Sequence, residues 1–258
     1  MPDEQQKIII TGAAGGIGSA VSRSLASQGA QLMLVDIGES ALHALRDELL
    51  AAGAADADVQ VCVADVSEPV QVENYVQQTL QAFGGVNRFM NNAGIEGPGA
   101  SIIDYPLEDF MRVMNINVTG VWLGMKYVLP AMRDAGGGSV IITSSVAGVI
   151  GSPNLSGYVT SKHAVIGIMR TAALEHAADD IRVNTIHPGM VDTKMAERIG
   201  ENSGLGVAGF EELIRSKIPL GRYAQAEDIV GIVNFLFGES ASYCTGQQYF
   251  VDGGITTG

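Results

Sequence analysis

Short runs of almost wholly apolar residues alternate along the chain with longer stretches in which apolar residues recur every three or four positions. The apolar runs KIIIT, AQLMLVD, DVQVCVAD, NRFMNNAG, GSVIITSS, IRVNTIHPG and QQYFVDGG read as seven strands. Between them, GIGSAVSRSLASQG reads as a helix closed by Gly29, and SALHALRDELLAAG as a second. A third starts at Pro69 and stops at Gly84. Helical spacing continues over Leu107 to Arg133, from Ser156 through EHAA, and over Ala226 to Phe237. Strands apolar almost throughout are covered on both faces. Strict alternation of such strands with helices predicts an α/β protein, a doubly wound parallel sheet with helices on both faces. No linker-like break or internal repeat divides it, so residues 1–258 are expected as one domain. The Gly-rich excursion from Asp192 to Ile218 follows a strand end and far exceeds the ~2–6 residues usual there. A lid over a binding site is expected at about 192–218.

Composition narrows the partners. The net charge is −13, from 15 basic and 28 acidic residues, which disfavours nucleic acid and anionic membrane surfaces. The two cysteines, Cys62 and Cys244, have neither zinc-site nor disulfide-framework spacing and point to a reducing compartment. His43, His163, His176 and His187 are scattered, so no metal is expected, and His187 beside Pro188 reads as structural. The opening MPDEQQK and the glycine-broken run after it resemble neither a signal peptide nor a membrane span. A cytoplasmic protein is expected.

The first strand runs into TGAAGGIG, which places Gly12, Gly16 and Gly18 between strand and helix. Such a Rossmann-type turn lets backbone approach a pyrophosphate and aims a helix N-terminus at it. A tight turn without any ligand would use the same glycines. Asp36 ends the second strand 18 residues after Gly18, close to the ~20 expected of an acid that binds the adenosine ribose hydroxyls. Its carboxylate would repel a 2′-phosphate, and no basic residue follows in VDIGES, so NAD is favoured over NADP. A strand-end or helix-capping Asp is the alternative. Asp65 ends the third strand, where it can accept from an adenine amino group while the Val66 N–H donates to the ring; capping of the helix near Pro69 is equally open.

Tyr158 and Lys162 stand four apart on one helix face. An ammonium beside a phenol is expected to lower the phenol pKa toward the working pH and make it a general acid/base. Ser145, at the end of the fifth strand, is placed to hold a substrate oxygen against that phenol. Asn117, polar in an apolar helix, either kinks that helix and holds a water linking Lys162 to solvent, or is an internally satisfied amide.

Together these motifs resemble the short-chain dehydrogenase/reductase family over nearly the whole chain. TGAAGGIG is similar to its TGxxxGxG turn, NNAG (Asn91 to Gly94) to its next signature, NINVTG to the segment carrying its Asn, and Ser145, Tyr158 and Lys162 to its SxₙYxxxK set. HPGMVDT is similar to its PGxxxT segment. The resemblance implies Tyr158 as general acid/base, Ser145 as orienter of the substrate oxygen, Lys162 also binding the nicotinamide ribose, and Asn117 completing a proton relay. It implies cofactor contacts at Gly12, Gly16, Ile17, Gly18, Asp36, Ile37, Asp65, Val66, Asn92, Ala93, Gly94, Pro188, Gly189, Val191 and Thr193, the last on the carboxamide. It also implies a homotetramer assembled through the fourth and fifth predicted helices and the C-terminal strand. One departure is Asn87, where the family often has Asp.

Pocket walls are expected from Ile95, Glu96, Val146, Leu155, Met190, Met195 and Phe210, with Val149, Ile150, Leu205 and Val207 as further apolar candidates. Glu96 reads as a solvated loop residue. The expected substrate is an uncharged, fairly apolar secondary alcohol or ketone, cyclic or aromatic. A 3-oxoacyl thioester reductase is the enzymatic alternative, and a non-catalytic dinucleotide sensor the other.

Overall fold

A computed structural model describes residues 5–257; Met1 to Glu4 and Gly258 lie outside it. All seven predicted strands form: β1 (Lys7–Thr11), β2 (Gln31–Asp36), β3 (Val59–Val63), β4 (Arg88–Asn91), β5 (Gly138–Thr143), β6 (Ile181–Pro188) and β7 (Gln248–Val251). They pair in parallel in the order β3-β2-β1-β4-β5-β6-β7. Ile9 stands opposite Met33 and Phe89, and Ile142 opposite Thr185.

The period-two alternation of a strand sorts side chains onto two faces. Ile9, Met33, Phe89 and Val140 join one core with α3 (Pro69–Phe83), α5 (Gly120–Asp134) and α6 (Ser156–Glu175). Ile8, Ile10, Leu32 and Leu34 join the other with α1 (Gly16–Ser27), α2 (Glu39–Ala51) and α9 (Ala226–Phe237). The predicted helix boundaries at Pro69 and Gly84 are found, with Gly84 in the left-handed conformation that closes α3. Among the described residues no helix is long and apolar enough to cross a membrane.

Two segments differ from the sequence expectation. The helix expected over Leu107 to Arg133 is interrupted: α4 (Leu107–Met114) passes through a π turn at Asn115–Thr119 before α5. The wider turn centres on Asn117, whose amide is fully buried. The excursion after β6 is not an irregular loop. It holds α7 (Lys194–Glu201) and α8 (Gly206–Lys217), separated at Gly204 and Gly206, both with positive φ. Gly200 has no Cβ to hold Val207 away, so the two helices pack closely.

Chain order reverses between β1 and β4, and the crevice beyond those strand ends is where such sheets bind ligands. Asn87 ties the opposite ends: its Oδ1 accepts from the Lys7 N–H at 2.9 Å and its Nδ2 donates to the Gln5 carbonyl at 3.1 Å. A carboxylate there would keep the first bond and lose the second. Because the Phe89 ring is fully buried at the sheet centre, Phe89→Ala is expected to lower the unfolding free energy by about 3–5 kcal/mol, measured by denaturant titration.

Candidate active site

A cleft of about 1340 Å³ opens along the C-terminal ends of the strands. At one end, Gly12, with φ +64°, turns the chain out of β1; a Cβ there would come within 2.9 Å of the Ala93 Cα. A Cβ on Gly16 would overlap the Thr193 methyl group, so the glycine turn and the start of α7 meet across the cleft. α1 begins there with no side-chain cap, leaving the positive end of its dipole to an anion. Gly18 is a correction: it does not line the cleft, and its missing Cβ instead lets α1 lean on the Gly12 carbonyl. These glycines leave the open cradle that a pyrophosphate requires.

Asp36 stands at the mouth. Its Oδ2 accepts from the Ala14 N–H and its Oδ1 from the Gly38 N–H, both at 3.0 Å. The two amides aim the carboxylate across the glycine turn and leave each oxygen a lone pair for a hydroxyl donor. α2 has no side-chain cap, so Asp36 does not serve as one. Ile37 lines the same mouth and is exposed. Asp65 and Val66 also line the cleft, but Asp65 Oδ1 is engaged by the Ser67 N–H and hydroxyl at 2.9 and 2.7 Å. It therefore organises the turn before α3, but it does not cap that helix, whose N-cap is Glu68 with no side-chain bond, and among the described residues its Oδ2 stays free for an adenine amino group.

Asn92 joins three strand ends. Its Nδ2 donates to the carbonyls of Thr11 and Gly12 at 3.1 and 3.2 Å, and its Oδ1 accepts from the Thr143 hydroxyl at 3.0 Å. The Thr143 carbonyl in turn accepts from Lys162 Nζ at 2.8 Å. Thr143 was not anticipated; its place at the end of β5 was the available signal. Pro188, Gly189, Val191 and Thr193 line the wall that follows β6, and Ile17, Ala93 and Gly94 complete the cofactor half.

Tyr158, Ser145 and Lys162 converge on the cleft floor. The Tyr158 and Ser145 hydroxyls hydrogen-bond, and Lys162 Nζ lies 5.5 Å from the Tyr158 ring centre. The expectation that Lys162 acidifies Tyr158 is corrected here. Burial pushes the phenol up to about 12; the Ser145 hydrogen bond opposes this and the Glu96 charge adds to it. Burial also pushes Lys162 down to about 8. Although the Tyr158 residue as a whole keeps some exposure, its phenol is enclosed, and desolvation outweighs the nearby ammonium. Ser145 is itself held from behind. The His187 ring donates from Nδ1 to the Ser145 carbonyl at 2.8 Å, and its Nε2 meets the Thr185 hydroxyl at 2.9 Å. Stacked on Phe250 and fully buried, His187 has a lowered pKa, chiefly from desolvation, and is structural as expected.

Asn117 lies behind the cleft rather than in its lining. Its Oδ1 accepts from the Ile95 N–H, and its Nδ2 donates to the Ile95 carbonyl and to the Ser161 hydroxyl, at 2.8, 2.8 and 2.9 Å. The side chain is thus the internally satisfied amide, tying the loop after β4 to α6. A Cβ on Gly94 would reach within 3.2 Å of Asn117 Oδ1 and 3.5 Å of Lys162 Nζ, which explains a glycine there.

Ile95, Val146, Leu155, Met190, Met195 and Phe210 line the other half of the cleft, as do Ile150 and Leu205. Val149 and Val207 do not. Glu96 is a correction: it is buried at 6% exposure and paired with Arg198 of α7. Unanticipated lining comes from Ile199, Leu213, Ile214 and the C-terminal Ile255 and Thr257. The tail could have been inferred from the C-terminal edge of β7; the contribution of α7 and α8 required their helical form.

A family model described as enoyl-(acyl carrier protein) reductase matches residues 12–256. Cyclohexanol dehydrogenase of Acinetobacter sp. (strain SE19) is 38% identical over 96% of this chain and 94% of its own. Levodione reductase of Leifsonia aquatica is 40% identical over 96% and 92%. The solved structure of an NAD+-bound xylitol dehydrogenase superposes with a TM-score of 0.91 at 33% identity, covering 96% of this chain and 98% of that one.

The Lys162 charge has a stability consequence. An unfolded chain would keep the proton up to about 10.5 and the folded chain only to about 8, so the unfolded state binds more protons in that window and stability rises with pH across it. Relative to Lys162→Met, the parent protein is expected to gain unfolding free energy from pH 8 upward, measured by denaturant titration across pH.

Proposed function

The chain belongs to the short-chain dehydrogenase/reductase family, and from that premise we propose that it is an NAD(H)-dependent oxidoreductase that interconverts an uncharged, fairly apolar cyclic secondary alcohol and its ketone. The observation that carries this is the enclosed Tyr158 phenol, hydrogen-bonded to Ser145 and faced by Lys162, in one cleft with the glycine turn and Asp36. NAD is favoured because the Asp36 carboxylate is aimed by two amides and followed by Ile37 rather than a base. The xylitol dehydrogenase relative carries NAD+.

The bound nicotinamide supplies hydride acceptance or delivery. Tyr158, kept protonated by its burial, gives its proton to the oxygen of a ketone as it becomes an alcohol. In the oxidation direction the phenol first loses its own proton, by way of Lys162, and the resulting phenolate oxygen takes the alcohol proton. Ser145 holds the substrate oxygen beside it. Lys162, anchored on the Thr143 carbonyl, holds the ribose and returns the phenol proton. Asn117 holds the Ile95 backbone beside Gly94 and Lys162. Gly12, Gly16, Ile17, Asn92, Ala93, Gly94, Pro188, Gly189, Val191 and Thr193 hold the dinucleotide, and Val66 faces its adenine.

The apolar wall supports this substrate class, and Arg198, one of several basic side chains along the cleft with Arg112, Lys194 and Lys217, is committed to Glu96. A cyclic substrate accords with the relative named for cyclohexanol. Helices α7 and α8 are the lid. Exposed Leu107, Met111 and Trp122 on α4 and α5, with Tyr243 and Phe250 at or near β7, suit a homotetramer.

Tyr158→Phe is expected to lower kcat/KM for alcohol oxidation by about 10²–10⁴ while NADH binding persists, read by cofactor absorbance and fluorescence. Retained turnover would remove Tyr158 from the chemistry, and equal NADH binding without turnover in either protein would favour the sensor. Faster turnover of 3-oxoacyl thioesters with NADPH would favour the thioester reductase. Asp36→Ala combined with Ile37→Arg is expected to shift preference from NAD toward NADP in the ratio of kcat/KM values; an unchanged ratio would contradict the role of Asp36.

A further inference from the structure

Glu96 follows Ile95, whose N–H and carbonyl are both held by Asn117. The loop that carries its carboxylate is therefore rigid. That carboxylate is almost wholly buried, and a buried carboxylate without a partner is strongly destabilising. Arg198 supplies the partner in fork geometry: Nε bonds Oε1, and a terminal nitrogen bonds Oε2 at 3.2 Å. Arg198 belongs to α7, 102 residues away along the chain. A second contact reinforces the first, because a Cβ on Gly99 would lie within 3.0 Å of the Asn202 carbonyl at the end of α7. The α8 helix is packed on α7 at Gly200 and Val207, so whatever docks α7 docks both helices. Together they bring Met195, Ile199, Phe210 and Leu213 to the cleft.

We propose that Arg198 and Glu96 are positioning residues that form a charge latch, docking α7 and α8 over the substrate half of the cleft. That this half holds the substrate rests on the oxidoreductase assignment above; the docking does not.

Four variants test this: Arg198→Met, Glu96→Gln, the double variant and Arg198→Lys. The Arg198 side chain is half exposed, so its replacement opens no cavity in the core, and the double variant and Glu96→Gln leave no unpaired buried carboxylate. Amide hydrogen exchange of the cofactor-free protein is expected to accelerate about tenfold over residues 194–217 in Arg198→Met and Glu96→Gln, with the sheet unchanged. This measurement needs no turnover, so it judges the latch even if the parent oxidises no alcohol, an outcome that would sink only the oxidoreductase assignment. In steady-state kinetics the alcohol KM is expected to rise about tenfold in each single variant, and no further in the double, with the NAD KM unchanged and part of the loss recovered in Arg198→Lys. Unchanged exchange over 194–217 in Arg198→Met overturns the proposal. So does an alcohol KM within about twofold of the parent in either single variant.

Discussion

One side-chain amide joins the two halves of the candidate site. Asn92 binds the carbonyls at the end of β1 and the hydroxyl of Thr143 at the end of β5. The Thr143 carbonyl then anchors Lys162, one turn of α6 beyond Tyr158. The glycine turn and the phenol are consequently parts of one hydrogen-bonded unit. Displacing any one strand end would break a bond of this partly buried amide. Preorganisation of this kind is what a site for positioned proton transfer requires.

The electrostatics of the cleft floor follow from enclosure. Desolvation acts in opposite directions on an acid and a base: it raises the phenol of Tyr158 and lowers the ammonium of Lys162. The phenol is thereby kept protonated, while the lysine beside it gives up its proton more readily than usual. Both groups are polar and enclosed, yet each has a partner, Tyr158 in Ser145 and Lys162 in Thr143. His187 adds a further layer by fixing the Ser145 backbone rather than titrating.

Enclosure on the other side comes from α7 and α8. Their apolar faces meet the cleft while their attachment to the loop after β4 is ionic. Apolar contact is non-directional and would tolerate many poses of a mobile element; a bidentate ion pair accepts one. The combination suits a cover that must fit apolar ligands and still return to one position.

What was legible in the sequence was local. Apolar runs and helical spacing specified seven strands and the helices on both faces, because burial on a sheet and along a helix imposes periods of two and 3.6 residues. The spacing of Asp36 from the glycine turn, and of Tyr158 from Lys162, placed those side chains because a strand, a turn and a helix have set dimensions. Contacts across the fold were not legible. Glu96 looks solvated until Arg198 arrives from 102 residues away. Asn117 remained undecided until Ile95 and Ser161 were seen to satisfy it. The glycines between Asp192 and Ile218 concealed two helices, since their docking on the loop after β4 and on each other supports them despite weak local propensity. The sign of the Tyr158 shift was decided in the same way. Sequence placed a cation beside the phenol, but only the packed structure showed that burial acts on both groups more strongly than each acts on the other.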